Sequence, residues 1–419
     1  MQTCPLRSSI FLFFVQTNNM GFLSEARKIQ KQLVAWRRYL HENAEVGFEL
    51  TKTTSFIENE LKKLGCKPKN CGKAGVVATV GKGARTFLLR ADTDGLPIEE
   101  KTGKRFACKY GHMHACGHDM HAAMLLGAAK LLKERESDLK GQVKFLFQPA
   151  EEILEGAKNV MEAGVLKGVD GAMMLHVLTN VELPVGTLVI ANGISAPAAD
   201  YFTIQVKGKS CHGSTPWKGV DALTAAARIL LALQDISARE LVPATPFVLS
   251  VGSFHGGVAG NVIADCAFLK GTLRSFDEET RELVKKRIEE IAKGVAKTFH
   301  ASANVIYEGG CPTLINDEKT SDFAERVGRD MLGKNVVFNS KTLGGDIKEK
   351  SGGSEDFAYI SHEVPSVMAA IAAGETSKGY AYPLHHPKVD FDEDALCVGA
   401  AFYAKVAFAI HQGEFFKKA

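Results

Sequence analysis

Short apolar runs alternate with helical segments along most of this 419-residue chain, and this alternation limits the possible folds more than any other feature. Four of the runs lie at residues 87–90, 143–147, 172–175 and 366–371, each flanked by residues that break secondary structure. A short, mainly apolar run is typical of a strand that is buried on both faces of a parallel sheet. Helical patterns near 119–133 and 156–163 separate the first three runs. The order predicts an α/β fold with a mostly parallel sheet.

Residues 198–306 follow a different order. Strand patterns lie at 201–206, 247–254, 267–273 and 303–307, and helical patterns lie at 220–236 and 277–300. The order βαββαβ is that of a ferredoxin-like unit. Because the α/β pattern resumes after this segment, we predict a large domain in two parts, 20–197 and 307–419, into which a smaller domain at 198–306 is inserted.

Bulk properties exclude several classes of function. The formal net charge is +3 without a lysine and arginine run, which predicts that nucleic acid is not a partner. No apolar run approaches the roughly 18 residues that would cross a membrane, so we expect no membrane partner either. Nine cysteines without regular spacing are typical of reduced thiols in a cytoplasmic protein. The apolar stretch at 10–15 is too short for a secretory signal, which predicts an unstructured extension before a start at Met20.

Polar clusters follow three of the predicted strands, at the point where each strand ends. The first strand leads into Asp92 and Asp94, the second into the segment from Gln148 to Glu152, and the third into His176. Ligands of open α/β sheets bind beyond the carboxyl ends of the strands. Three such clusters at one edge of a sheet therefore predict a functional site there.

A fourth cluster, at residues 112–121, holds four histidines and one cysteine. Cys116 and His118 are two residues apart, so in an extended segment their side chains lie on the same side and can reach one ion. A single histidine is ordinarily structural, but this density favours a metal site. Cysteine, histidine and glutamate ligands suit zinc or another late divalent metal. The spacing matches neither a zinc finger nor a nucleoside deaminase.

Two adjacent glutamates, Glu151 and Glu152, cannot point the same way in an extended segment. One can bind a metal while the other faces the substrate. The alternative is an exposed acidic turn, which the preceding Gln-Pro and the strand end disfavour.

Seven segments in this order carry a resemblance to a known family. They are Asp-Thr-Asp-Gly-Leu-Pro, His-Ala-Cys-Gly-His-Asp, Phe-Gln-Pro-Ala-Glu-Glu, Leu-His-Val, Gly-Lys-Ser-Cys-His-Gly-Ser-Thr-Pro, Gly-Gly-Ser-Glu-Asp-Phe and Leu-His-His-Pro. Each segment is weak evidence alone, but together they resemble the hippurate hydrolase and indole-acetyl-amino-acid hydrolase branch of the aminoacylase/carboxypeptidase metallopeptidase superfamily. The resemblance covers the chain from about Ser24 to its C-terminus.

The resemblance implies a catalytic domain that binds two divalent metal ions per subunit, for which zinc, manganese, cobalt and nickel all remain open. Glu151 would be the general base, and Asp94 would orient a ligand without binding metal itself. Asp92 stands where other branches have a histidine ligand, so we do not assign it to metal. His386 remains a second choice beside His385. The implied ligands, with the thiolate as the bridge, are Cys116, His118, Glu152, His176 and His385.

The resemblance also implies that the inserted domain is a lid that forms a homodimer, with His212 reaching the active site of the other chain to stabilise an oxyanion. This lid segment has Ser210 and Cys211 where relatives often have glycines. Asn261 and Arg274 are candidates for binding the carboxylate of the substrate, and the guanidinium fork suits a carboxylate. An exposed structural arginine is the alternative for Arg274.

The resemblance implies that metal-activated water hydrolyses the amide bond of an N-acyl amino acid, since a bound divalent metal lowers the pKa of water to about 7. A dipeptidase or carboxypeptidase could use the same two-metal site. A non-catalytic binding protein of the same fold is a further alternative, which an intact Glu151 argues against. Acetyl, benzoyl, succinyl and indole-acetyl groups all remain possible acyl groups.

Overall fold

The computed structural model describes residues 21–339, 353–413 and 415. The predictions about residues 1–19 and a start at Met20 lie outside the described residues, as does the first glycine of Gly-Gly-Ser-Glu-Asp-Phe. Within the described part, eight strands form the large sheet: β1 (Lys69–Cys71), β2 (Gly75–Gly81), β3 (Thr86–Asp92), β4 (Gln142–Gln148), β5 (Gly171–Leu178), β6 (Leu188–Ile190), β15 (Val337–Asn339) and β16 (Ser366–Ala372).

The strand order in this sheet is β1-β2-β4-β3-β5-β16-β6-β15. The four strands predicted from the apolar runs are its parallel centre, β4-β3-β5-β16. Antiparallel strands flank this centre: β2 pairs with β4 on one side, and β6 pairs with β16 on the other. The predicted α/β fold class is therefore confirmed, and the flanking strands are the part that the apolar runs did not predict.

Helices cover both faces of this sheet. Along β3, Phe87 and Leu89 belong to one apolar core and Leu88 to another, as the alternation of side chains in a strand requires. The larger core includes Met124, and the smaller core includes Val160. The helices are α1 (Phe22–Lys28), α2 (Gln30–Glu42), α3 (Thr51–Lys63), α4 (His118–Glu134), α5 (Gly156–Glu162), α8 (Glu318–Leu332), α9 (Phe357–Glu363) and α10 (Ala395–His411).

The insert has its own sheet and its own core. Its neighbouring strands are antiparallel and follow the ferredoxin-like order β10-β12-β8-β13. Two helices cover one face, where Phe202 and Leu269 are buried. The opposite face, which carries Tyr201, Thr272 and Arg274, is called the open face below. The elements are β8 (Ala198–Lys207), α6 (Ala222–Ala232), β10 (Phe247–Gly256), β12 (Cys266–Ser275), α7 (Glu278–Thr298) and β13 (Ser302–Cys311).

Two small ribbons complete the insert and its attachment. The chain enters and leaves the insert through β7 (Gly193–Ala196) and β14 (Leu314–Asn316), which pair with each other. At the far end, β9 (Cys211–His212) pairs with β11 (Val262–Ile263). The division at residues 198 and 306 stays a proposal, and β13 continues beyond it to Cys311. Within the described ranges, the helices are too short or too polar to cross a membrane.

Candidate metal centre

The strand order opens a crevice at the carboxyl end of β3. From β3 the chain passes through α4 to β4 on one side, and then through α5 to β5 on the other side of β3. The two helices pack on opposite faces of the sheet. Such a reversal of strand order leaves a cleft beyond the strand ends. The side chains of Asp94 and Glu151 lie there, with Cys116 and His118 on the segment that enters α4.

Asp94 fixes the turn that carries the two glutamates. The Asp94 side chain is fully buried, and its two oxygens accept the backbone N–H groups of Glu151 at 3.0 Å and Glu152 at 3.2 Å. The carbonyl oxygen of Asp94 lies 2.8 Å from Nδ1 of His118. Because a carbonyl can only accept, Nδ1 carries the proton, which leaves Nε2 to face an ion. Asp94 therefore orients three candidate residues at once.

His176 is oriented in the same manner. Its Nδ1 donates to the carbonyl of Val177 at 2.8 Å, so Nε2 is the nitrogen that can bind a metal. That Nε2 lies 3.5 Å from Sγ of Cys116. In a tetrahedral zinc site, bond lengths of about 2.3 Å to sulfur and about 2.05 Å to nitrogen place the two ligand atoms about 3.5 Å apart. The pair is thus spaced as two ligands of one ion.

The candidate ligands form two groups that share one thiol. Ligand atoms of Cys116, His118 and His176 lie within 4.8 Å of one another, and so do those of Cys116, Glu152 and His385. Oε2 of Glu152 is 3.6 Å from Nε2 of His385. A shared thiol between two such groups suits two neighbouring ions. The geometry therefore brings all five sequence-predicted ligands to one place.

Two unpartnered atoms test whether a cation fits between these side chains. Nε2 of His118 and Oε1 of Glu152 are buried 3.8 Å apart, and within the described ranges neither has a hydrogen-bond partner. Buried polar atoms without a partner cost free energy, which an ion bound to both would remove. The donor set of thiol, imidazole and carboxylate suits a late divalent metal. The residues fit the metal centre that the sequence implies.

The backbone distinguishes His385 from its neighbour. His385 has φ of 64°, a left-handed conformation that is uncommon for residues other than glycine, and its N–H donates to Ala115 at 2.9 Å. His386 instead stacks on Tyr382 with ring centroids 4.4 Å apart, and its Nδ1 accepts the N–H of Lys388 at 3.1 Å. The neutral His386 therefore carries its proton on Nε2. This arrangement favours His385 as the ligand.

Burial sets the electrostatics of the cluster. The pKa of Glu151 is raised well above its usual value by burial, then by Glu355 and Glu152, while burial raises the pKa of Glu152 to about 7. Burial also raises the pKa of the Cys116 thiol, and it lowers the pKa of His176 to about 3. Carboxylates and a thiol that resist ionisation need a nearby cation to become anionic. A neutral histidine is the form that binds a metal.

In a third group of possible ligands, the side chains of Asp92 and His121 already have hydrogen-bond partners. The backbone N–H of Val177 donates to Nε2 of His121 at 2.9 Å, so the proton of that ring lies on Nδ1, 2.5 Å from Oδ1 of Asp92. The other oxygen of Asp92 accepts from the buried Arg90 at 2.8 Å. Both side chains therefore hold the scaffold of the site, in agreement with the absence of Asp92 from the predicted ligands.

Sequence reasoning missed the groups that support this scaffold. The fully buried Arg37 donates to Asp119 at 2.7 Å, and His41 contacts the same carboxylate at 2.8 Å. Arg90 reaches Glu355 at 3.0 Å and Asp356 at 2.8 Å. An arginine in an otherwise apolar run was the available signal for Arg90.

Of the lid candidates, His212 belongs to none of the possible metal-ligand groups formed by the described residues of its own chain. Nδ1 of His212 accepts the backbone N–H of Ser214 at 3.1 Å, so the neutral ring carries its proton on Nε2, ready to donate. Asn261 shares this end of the insert, because its carbonyl accepts the N–H of Gly213 at 2.7 Å. Arg274 lies at the opposite end, where it pairs across the sheet with Ala199.

Comparisons with known proteins agree with this geometry. A family model described as peptidase family M20/M25/M40 matches residues 88–409. An N-acetyl-L-cysteine deacetylase of Bacillus subtilis is 37% identical over 89% of this chain and 87% of its own length. The IAA-amino acid hydrolase ILR1-like 4 of Arabidopsis thaliana is 36% identical over 90% of this chain and 84% of its own. The YXEP protein of Bacillus subtilis, described as a dinuclear metal-binding peptidase, superposes with a TM-score of 0.76 at 33% identity, covering 92% of this chain and 99% of its own.

Proposed function

The chain belongs to peptidase family M20/M25/M40, and from this membership we propose that it hydrolyses the amide bond of N-acyl amino acids with water. The coarser statement, that it is a metal-dependent amidohydrolase, follows from the family itself. One observation carries the finer proposal. Two ligand groups share Cys116, and the buried Glu151, which belongs to neither of these two groups, lies beside them.

Two divalent ions bound by these groups would lower the pKa of water and polarise the acyl carbonyl. The chain's own residues supply the proton transfers and the placement. Glu151, with Oε2 3.9 Å from Nε2 of His118, lies where it can take the proton of the attacking water. The same carboxyl then donates that proton to the leaving amine. Burial raises the pKa of Glu151, which makes it a stronger base than an exposed glutamate.

His212 is proposed to donate its Nε2–H to the oxyanion that develops on the substrate. The insert is too long for His212, Asn261 and Arg274 of one chain to contact the same small substrate. Arg274 and Cys266 lie eight residues apart on β12, which is about 26 Å at 3.3 Å per residue, and Asn261 lies beyond Cys266. A small substrate that contacts Arg274 therefore cannot also contact His212 and Asn261 of that chain. This separation supports a homodimer in which the partner supplies the far end of its insert.

The two enzymes named among the relatives act on an amide that links an acyl group to an amino acid. Their acyl groups, acetyl and indole-acetyl, differ greatly in size. The feature that such substrates share is the amino acid half with its carboxylate. We therefore propose N-acyl amino acids as the substrate class and leave the acyl group open. The eight cysteines in the described ranges are free thiols, which supports a cytoplasmic location.

A substrate panel tests the proposal. Protein freed of metal with a chelator and reloaded with Zn²⁺, Mn²⁺, Co²⁺ or Ni²⁺ would be assayed on N-acetyl, N-benzoyl, N-succinyl and N-indole-acetyl amino acids and on dipeptides. We expect reloaded protein to hydrolyse at least one N-acyl amino acid faster than any dipeptide, and the metal-free protein to be inactive. Turnover of dipeptides alone would favour the peptidase alternative, and full activity without metal would contradict the mechanism.

A further inference from the structure

Arg274 lies at the end of the insert that contacts the catalytic cleft of the same chain. Arg274 on β12 pairs with Ala199 on β8, and Thr272 pairs with Tyr201, so all four side chains belong to the open face. Ala199 packs in one buried cluster with Leu154, which follows the predicted ligand Glu152 by two residues. The open face therefore begins beside the turn that carries the candidate base and ligand.

The guanidinium of Arg274 is held in one orientation by its neighbours on this face. Its NH2 group donates to the hydroxyl of Tyr201 at 3.2 Å, and its carbon lies 5.2 Å from the centre of the Tyr201 ring. Its NH1 group donates to the Thr272 hydroxyl and to the carbonyl of Leu273 at 3.1 Å. Thr272 in turn donates to the carbonyl of Asp200 at 3.2 Å. A long flexible side chain thus acquires a fixed position before a ligand binds.

We propose that Tyr201 is a positioning residue that presents Arg274 to the carboxylate of the substrate, an inference that rests on the proposed function. A phenol oxygen that accepts a hydrogen bond from a guanidinium fixes the orientation of that group. The carboxylate of an N-acyl amino acid then accepts from the oriented guanidinium, so Tyr201 acts through Arg274. Charge-assisted bonds of this kind are stronger than neutral ones.

A purely structural role for Tyr201 is the competing explanation. The side chain is 43% exposed, so its ring removes little apolar surface from water, and loss of the hydroxyl alone changes the packing very little. A structural role predicts a change in stability that is the same for every substrate. The positioning role predicts a change in the binding of substrates that carry a carboxylate.

Tyr201→Phe separates the two roles. Steady-state kinetics would be measured on an N-acyl amino acid and on the same compound with its carboxylate converted to a carboxamide. We expect KM for the acid to rise about tenfold, because a hydrogen bond to a charged group is lost, while kcat changes less than about twofold. The kinetic constants for the carboxamide should stay unchanged. Equal effects on both compounds would overturn the proposal.

A double-mutant cycle with Arg274→Met tests whether Tyr201 acts through Arg274. On that background, Tyr201→Phe should have no further effect on the ratio of acid to carboxamide turnover, and an undiminished effect would contradict the inference. Tyr307→Phe is the matched control, because this hydroxyl lies on the helix-covered face and donates to the carbonyl of Lys285 at 3.0 Å. The same acid-to-carboxamide ratio can be measured on dipeptides, so failure of the N-acyl substrate class is distinguishable from failure of this proposal.

Discussion

Exchanging each of the two adjacent glutamates for glutamine tests the proposal that Glu151 is the base and Glu152 a metal ligand. Glu151 is 5% exposed, and a glutamine of nearly the same volume fits its place but cannot accept the proton of water. Oxygens of Glu152 lie 3.6 Å from Nε2 of His385 and 3.8 Å from Nε2 of His118. Replacing Glu152 therefore removes a negative charge that faces both predicted ion positions.

The size of each effect follows from these roles. A general base contributes roughly 10²- to 10⁴-fold to rate, so Glu151→Gln should lower kcat by about 10³-fold, or about 4 kcal/mol, with the metal content unchanged. Changes to groups that only support a ligand already weaken metal binding by about 10- to 100-fold. Because Glu152 is a predicted ligand itself, Glu152→Gln should weaken metal binding by more than this and leave the protein metal-poor after dialysis.

Metal content by mass spectrometry and kcat at saturating added metal would be measured for both variants and for the parent. Circular dichroism would confirm that both variants are folded. Excess metal should restore part of the activity of Glu152→Gln and none of that of Glu151→Gln. Equal metal loss in the two variants would refute the division of roles, and so would a Glu151→Gln variant that keeps more than about a tenth of the parent rate.

Two further predictions concern pH and assembly. The pKa values of Glu151, Glu152 and His118 are raised in the folded metal-free protein, so its stability should fall as pH rises through about 7. The increase in Tm on adding Zn²⁺ should therefore be larger at pH 8 than at pH 6. Calorimetry that shows the same increase at both pH values would contradict the ligand set. The variants Glu151→Gln and His212→Ala should each be nearly inactive alone. After subunit exchange about a quarter of the sites should work, since about half the dimers are mixed and each mixed dimer has one site with both native groups. If mass measurement confirms exchange and no activity returns, His212 acts within its own chain or takes no part in the reaction.

The fold could be predicted from the sequence where local pattern decides structure. The apolar runs become buried strands because they are too short for a buried helix and are flanked by breakers, and all four were recovered as the parallel centre of the sheet. The insert was recovered from the order of its elements. The strand bounds were less accurate: the last strand of the insert continues to Cys311, four residues past its predicted end, because pairing with β8 sustains it.

The site could be predicted only as a set of candidates. Spacing alone cannot choose among the histidines of residues 112–121, because the choice depends on partners that are remote in sequence. His121 is excluded by the N–H of Val177, and His118 is oriented by Asp94. The sequence alone cannot choose between His385 and His386, whereas in the structure the left-handed φ of His385 distinguishes them. Such contacts arise only when the strands assemble.

On the proposed arrangement, the inserted domain divides substrate binding from catalysis along its own length. Arg274, held by Tyr201 beside the cleft of its own chain, would contribute to substrate binding without a second subunit. His212 lies at the far end, and its proposed partner is a charge that develops only during the reaction. Interactions present equally in the ground state affect KM, whereas those made only in the transition state affect kcat. On the proposed arrangement, a separated chain would therefore still bind metal and substrate carboxylate, and dimer formation would supply the turnover.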